Sequence, residues 1–347
     1  MIPNPRIREP RIPWNPPVYH CVRATAPFGQ ATGRLDRPFW EPGEWIEDFH
    51  DIEGPGRPRP AKETRVKMLW DEEALYVGAL LHDDTIWATV TERDHVIFVD
   101  NDFEVFLAPQ DSSHRYYELE INAHGTVWDL LMEKPQRDRV RRIIGWDIRG
   151  LDSAVHIEGR LNDPCADNRF WSLELKIPWF SLRECGVDQC WPERFAPLPG
   201  EVWRANFSRV QWRVHAEDGS YAKDLDPSTG LPLPEDNWVW APTGVIDIHL
   251  PEMWGFLVFT KKGEDWPLPP DEDVKLALRR LYYRQHAHAC REGGFTTDVE
   301  RLMGEEAARY QMRAFVTPSL FEGIARGAEH CWHIRQDGCL WRGDLEP

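Results

Sequence analysis

Short stretches of alternating apolar and polar residues, cut by Pro- and Gly-containing turns, run through the first 260 residues of this 347-residue chain. A period of two puts successive side chains on opposite faces of an extended backbone, so such a stretch buries one face as a strand and has no apolar stripe to bury as a helix. "TRVKMLW" (64–70) and "ALYVGALLH" (74–82) flank the turn "DEE" and read as a hairpin, with Leu75, Val77, Ala79 and Leu81 on one face. "DFEVFLAP" (102–109) and "RYYELEINA" (115–123) form a second pair across "QDSSH", and "HGTVWDLL" (124–131) follows a turn at His124–Gly125. "AVHIEGRL" (154–161) and "RFWSLELKIP" (169–178) form a third, with Trp171, Leu173, Leu175 and Ile177 facing inward. "EVWRANFSRVQW" (201–212) and "GFLVFTK" (255–261) add further strands. Helical signal in this region is confined to "IPWFSLRECG", a short piece ending near Gly186. The pattern predicts an all-β fold, a β-sandwich of jelly-roll type.

The pattern changes at "KKGEDWPLPPDED" (261–273), a polar, Pro-rich stretch that reads as a linker. In the following "EDVKLALRRLYYRQHAHACREGG", Val274, Leu278, Leu281 and Tyr282 recur at helical spacing, with acidic residues at the start and Gly293–Gly294 at the stop. "AFVTPSLFEGIA" and "CWHIRQDGCLWR" read as strands, the second folded at Asp337–Gly338. The expected organisation is a sandwich over 15–262, a linker over 263–273 and a small α+β appendage over 274–347, which leans on the sandwich or pairs two copies as a homodimer.

Charge and targeting bound the function. A net charge of −17 argues against nucleic acid and against an anionic membrane surface, both of which need clustered Lys and Arg. No 18-residue apolar run predicts a membrane span, and the N-terminus "MIPNPRIREPRIPWNPP" has no apolar core of a signal peptide, so a cytoplasmic protein is expected. Seven Cys form no paired framework and no metal-type pattern, so reduced, buried thiols are expected. Eighteen Trp exceed what packing needs. Indole offers a broad apolar face with one donor at its edge, which suits stacking on the C–H face of a sugar ring, although all-β cores also favour aromatics.

Three groups of residues could carry chemistry. In "FVDNDFEVF", alternation puts Asp102 and Glu104 on one face, and Glu118, Glu120 and Asn122 share a face of the partner strand. Like charges on adjacent strands repel unless a sugar's hydroxyls, an Arg or a hard cation of Ca²⁺ type neutralises them, and a solvated polar face is the plainer alternative. In "RANFSRVQWRV", Asn206, Ser208 and Trp212 share one face and Trp203, Phe207 and Arg209 the other, where Arg209 reads as one half of a buried ion pair. In "PEDNWVWAPTGVIDIHLPEMWGFLVF", Asn237 and Trp240 are three apart and His249, Glu252 and Trp254 follow. No nucleophile, P-loop, dinucleotide or zinc-protease motif is present.

Taken together, "TRVKMLWDEEALYVGALLHD", "DNDFEVFLAP", "YYELEINAHGTVWDL", "RFWSLELKIPW", "WRANFSRVQW" and "NWVWAPTGVIDIHLPEMWGFLVF" resemble, in order and spacing over about residues 15–262, a family 9-like carbohydrate-binding module of the DOMON-like superfamily. That resemblance implies a β-sandwich that clamps a sugar ring between two aromatic walls and carries bound Ca²⁺. The family's carboxylate then falls on Glu104 and its first wall on Phe98, where characterised sugar binders have Trp. Its Asn and second wall fall on Asn237 and Trp240, its amide near Asn206 or Gln211, and its basic residue near Arg213 or Lys223. Trp254, in "PEMWG", is expected to be structural or at the rim. The candidate ligand contacts are therefore Phe98, Glu104, Asn206, Arg209, Lys223, Asn237 and Trp240. The expected function is non-catalytic binding of a mono- or oligosaccharide in carbohydrate catabolism, with Ca²⁺ as a structural ion and no catalytic residue. The alternatives are a glycoside-acting hydrolase using Glu104 with Glu120 or Asp102, and a DOMON-type haem binder using His249 or Met253.

Overall fold

The computed structural model describes residues 4, 6–110, 112–138, 141–186, 195–261, 264 and 266–344. Fifteen strands precede the first α-helix among these residues. They are β1 (Val18–Arg23), β2 (His50–Asp51), β3 (Thr64–Trp70), β4 (Ala74–His82), β5 (Asp102–Ala108), β6 (Tyr116–Asn122), β7 (Val127–Lys134) and β8 (Arg141–Ile143). There follow β9 (Asp152–Glu158), β10 (Phe170–Pro178), β11 (Val202–Gln211), β12 (Val214–Glu217), β13 (Ser220–Lys223), β14 (Asp236–Val239) and β15 (Gly255–Thr260). The three expected strand pairs, β3–β4, β5–β6 and β9–β10, are all present and antiparallel. The short helical piece is two 3₁₀ turns, Trp179–Ser181 and Glu184–Gly186.

Thirteen of these strands form one hydrogen-bonded sheet in the order β8-β7-β6-β5-β11-β15-β1-β3-β4-β10-β9, with β14 and β2 attached beside β11. The sheet curls so that its two halves face each other. One apolar core gathers Phe103, Val105, Leu119 and Ile121 from one half and Met68, Val77, Leu173 and Leu175 from the other. The chain is thus all-β in its main body, as alternation requires. Two features lay outside the sequence reading. β1 pairs in parallel with both β15 and β3 and closes the curl, and β12–β13 is a separate hairpin.

The C-terminal region holds α1 (Glu272–Glu292), α2 (Val299–Met303), α3 (Glu305–Arg309) and a four-stranded antiparallel sheet of β16 (Arg313–Val316), β17 (Phe321–Arg326), β18 (Cys331–Arg335) and β19 (Leu340–Gly343). The α1 stop is as expected: Gly293 caps it at φ 86°, a left-handed conformation that suits a residue without Cβ. The Asp337–Gly338 turn joins β18 to β19. The expected strand stretch "AFVTPSLFEGIA" divides into β16 and β17, and two helices were added to the expected helix and strands, because five-residue helices are too short to show periodicity. Gly263 and Asp265 of the expected linker, and Cys190, lie outside the described residues. Six cysteines among the described residues are free, as expected, but only Cys21, Cys185 and Cys331 are buried, whereas Cys339 is half-buried and Cys165 and Cys290 are exposed.

This C-terminal unit packs tightly on the sandwich. Arg204 of β11 pairs with Glu272 at 2.6 Å, and Lys134 of β7 reaches Asp337 at 2.8 Å. The Tyr283 hydroxyl of α1 donates to Glu252, which also pairs with Arg137 at 2.8 Å. An N-terminal segment crosses the same seam, with Ile7 buried among Val274, Leu278 and Tyr282.

Candidate functional site

The register of β5 decides which side chains meet. Glu104 stands directly opposite Glu120 of β6 and Ser208 of β11. Glu120 stands opposite Trp128 of β7, and Glu118 opposite Leu130. Directly opposed residues share a face, so Asp102, Glu104, Glu118, Glu120 and Trp128 all point away from the apolar core. This outer face is not a solvated one: all four carboxylates and Trp128 are buried. Glu104, Glu118, Glu120 and Trp128 form the floor and one side of an open cleft of about 820 Å³, also lined by Phe98 and Asn237, and Asp102 lies beneath it.

Phe98, 43% exposed, leans on Trp128 with ring centroids 6.4 Å apart. Its backbone N–H donates to Glu120 Oε2 at 3.1 Å, which ties the aromatic side to the acidic floor. Two buried polar atoms at the cleft, Trp128 Nε1 and Glu118 Oε2, have no hydrogen-bond partner among the described residues. Asp102, Glu104 and Glu120 bring carboxylate oxygens within 4.8 Å of one another. Burial pushes Glu104 up to about 7, with the charge of Glu235 adding to it. Burial and then the charge of Glu104 push Glu118 up to about 8. Asp102 and Glu120 lie well above the usual carboxylate range for the same two reasons. Around neutral pH burial therefore favours protonated carboxyls on this floor over four charges.

An arginine-rich rim faces this floor. Arg6, Arg8 and Arg11 come from the N-terminal segment, and Arg142 lies 5.9 Å over the Trp128 ring.

Of the candidate ligand contacts, the structure brings Phe98, Glu104 and Asn237 together in the cleft, with Glu120 beside them and Asp102 beneath. Four others lie elsewhere. Trp240 is 5% exposed and packs on Phe207 in the core, centroids 5.9 Å apart, so a clamp between Phe98 and Trp240 does not form. The reason is parity. Asn237 pairs with Val210 on the cleft side, and a residue three further along an extended segment points to the other face. Asn206 is fully buried, its amide donating to Ala241 O and accepting from Ala241 N, both at 2.9 Å, so it latches the segment after β14. Arg209 is on the core face, paired with Asp83 at 3.2 Å and donating to Gln211 Oε1, which also removes Gln211 from the cleft. Lys223 sits on the β12–β13 hairpin with its ammonium 3.2 Å from the centroid of the Trp212 ring. Arg213 is exposed and donates to Pro234 O.

Trp254 is structural, fully buried against Phe106 and Tyr116. His249 has both ring nitrogens engaged, by the Tyr116 hydroxyl at 2.7 Å and the Gln136 amide at 2.9 Å, which leaves neither for iron. Met253 is buried outside the cleft lining. The sequence reading placed Glu118 in the acidic group but not among the ligand contacts, and it missed Trp128. Alternation in "YYELEIN" already put Glu118 beside Glu120, but placing Trp128 opposite Glu120 requires the β6–β7 register.

These features define a sandwich with an aromatic-and-carboxylate cleft on its outer face. Residues 32–132, which span β2 to β7 and include Phe98, Glu104, Glu120 and Trp128, match the family model described as carbohydrate family 9 binding domain-like. No curated protein matches the chain. Among solved structures, a Bacteroides uniformis protein assigned provisionally to carbohydrate binding is 15% identical with a TM-score of 0.45, over 70% of this chain and 97% of that one. A family 9 carbohydrate-binding module from Caldicellulosiruptor kristjanssonii in complex with cellotriose is 14% identical with a TM-score of 0.42, over 72% of this chain and 98% of that one. The same module in complex with glucose gives 14% and 0.41, over 71% and 98%.

Proposed function

We propose that this chain binds a mono- or oligosaccharide in the cleft without altering it chemically. The sugar ring packs on Phe98 and Trp128, and Glu104, Glu118 and Asn237 read its hydroxyls. The observation that carries the reading is the pairing of an aromatic side with buried, unpartnered polar atoms in one open cleft, Trp128 Nε1 and Glu118 Oε2. A buried polar atom without a partner costs free energy unless a ligand supplies the hydrogen bond. The match of the family model to residues 32–132, which include Phe98, Glu104, Glu118 and Trp128, supports the same reading.

The arrangement of the acids favours binding over hydrolysis. Glycosidic acid–base pairs flank the scissile bond, whereas Glu104 and Glu120 stand side by side on neighbouring strands and approach a ligand from one side. Titration calorimetry against a panel that includes glucose and cellotriose tests the proposal. Wild-type protein is expected to bind at least one sugar, and Trp128→Ala to weaken it about tenfold, or ~1.4 kcal/mol, through lost ring contact. No binding by the wild type at millimolar sugar would overturn it, as would turnover of chromogenic glycosides that Glu104→Gln abolishes.

A further inference from the structure

The cleft gathers cations in an acidic chain. The sequence carries 41 Lys and Arg against 58 Asp and Glu, a net charge of −17, yet five arginines line this one cleft. They come from separate parts of the chain. Arg6, Arg8 and Arg11 belong to the N-terminal segment, Arg137 follows β7, and Arg142 lies in β8. Arg137 is already held by Glu252 at 2.8 Å. Arg6, Arg11 and Arg142 are exposed and have no ion pair among the described residues. The N-terminal segment is anchored where it passes the cleft, through buried Ile7 and through Glu9, which pairs with Arg284 at 3.3 Å. Its arginines are therefore carried to the rim by a fixed backbone.

The acids of the same lining do not offset them. Glu9 is held by Arg284, and Glu53 pairs with Arg57 at 3.1 Å. Asp247 accepts the His249 N–H at 2.9 Å, and it and Glu235 are the acids of the rim without an ion pair among the described residues. Glu104, Glu118 and Glu120 are buried in the floor, where burial favours their protonated forms. The cleft thus sets guanidinium groups above carboxyl groups able to donate hydrogen bonds. Both want an acceptor, and a negatively charged one satisfies both.

We propose that the cleft selects an acidic sugar, a uronate whose ring packs on Phe98 and Trp128 and whose carboxylate pairs with Arg142 and the arginines of the N-terminal segment. This inference rests on the carbohydrate-binding reading above and narrows it. A uronate joins the two features of the cleft in one molecule. A neutral sugar leaves the rim guanidinium groups unpaired, and a free inorganic anion leaves the aromatic side unused. The planar fork of a guanidinium matches the two oxygens of a carboxylate. Arg142 stands 5.9 Å from the centroid of the Trp128 ring, so the charge that receives the carboxylate lies beside the wall that carries the ring.

The test is calorimetry on the full-length protein near neutral pH, with glucuronate against glucose, galacturonate against galactose, and trigalacturonate against cellotriose. At least one acidic sugar is expected to bind about tenfold or more tightly than every neutral one. That preference is expected to shrink as salt rises from about 0.05 to about 0.5 M, because ion pairs at an open rim are screened. Arg11→Gln and Arg142→Gln are each expected to lower the ratio of acidic to neutral affinity several-fold. Arg34→Gln, which removes an exposed arginine outside the cleft lining, is expected to leave that ratio unchanged. Neutral sugars that bind as tightly as the uronates, or a ratio that neither cleft variant moves, overturn this inference and leave the carbohydrate reading standing. Inorganic sulfate bound as tightly as the uronates overturns the assignment to a sugar, and no binding by any sugar overturns both readings.

Discussion

Glu118 sits between a buried floor and an arginine rim, and its protonation links cleft chemistry to stability. Its folded-state pKa of about 8 and that of Glu104, about 7, both exceed the ordinary 4.5, first because burial penalises the charged forms. The folded protein therefore holds more protons than the unfolded chain between those values. The contribution of these groups to stability is fully present below about pH 4.5 and is lost as pH rises through 7 to 8. Glu118→Gln is expected to match wild-type Tm near pH 5 and to exceed it by several degrees at pH 8.5. Thermal melts at the two pH values check this, and a Tm difference independent of pH would contradict it. At this scale, much of the site was legible from strand parity, which grouped Asp102 with Glu104 and Glu118 with Glu120. Parity also carried the evidence against Trp240, since an offset of three in an extended strand reverses the face. The rule applies here because β14 runs extended through Val239 and the Trp240 N–H still donates to Phe207 O.

Among the elements, the N-terminal segment was the least legible and has a specific structural role. It is Pro-rich with no periodicity, yet Ile7 is buried against α1, Glu9 pairs with Arg284 of α1 at 3.3 Å, and Arg6, Arg8 and Arg11 line the cleft. The C-terminal unit thus anchors one wall of a cleft whose floor belongs to the sandwich. Ile7→Ala removes the apolar anchor, a loss of roughly 2–4 kcal/mol of docking for a buried large-to-small change. Trypsin is expected to cut the variant after Arg6, Arg8 or Arg11 much faster than wild type, with the rest of the chain equally resistant. Equal cleavage rates would show that the segment is held by other contacts. No sequence pattern signals such a strap, because a segment that pairs with no strand or helix of its own leaves no period to read.

For the whole molecule, the sandwich and the C-terminal unit share charges as well as apolar surface. Glu252 is fully buried yet held below its ordinary pKa, because Arg137 and Arg279 outweigh the burial that would raise it. It receives the Tyr283 hydroxyl from α1 across the seam. Removing one member of a buried pair leaves an uncompensated charge and typically costs 3–5 kcal/mol. Calorimetry is expected to give a single unfolding transition for the wild type, and Glu252→Gln to lower its Tm by roughly 10 °C or to split it in two. Two wild-type transitions would mean that the units unfold independently.

What the sequence by itself determined was everything that depends on local period and local turn chemistry. Alternation set the strands, their inward residues and the all-β class, while helical spacing and Gly293 set α1 and its stop. Tertiary structure alone decided that β11 lies on the other side of β5 from β6, that a parallel β1 closes the curled sheet, and that the outer face of β5 and β6 is covered rather than solvated. It also decided that Phe98 is partnered by Trp128. The physical reason is that a period of two tells which side chains of one strand share a face, but not what that face meets. The partner across the sheet, and the segment folded over it, are fixed by burial between residues far apart in the chain, thirty positions for Phe98 and Trp128 and more than a hundred for Glu104 and Ser208.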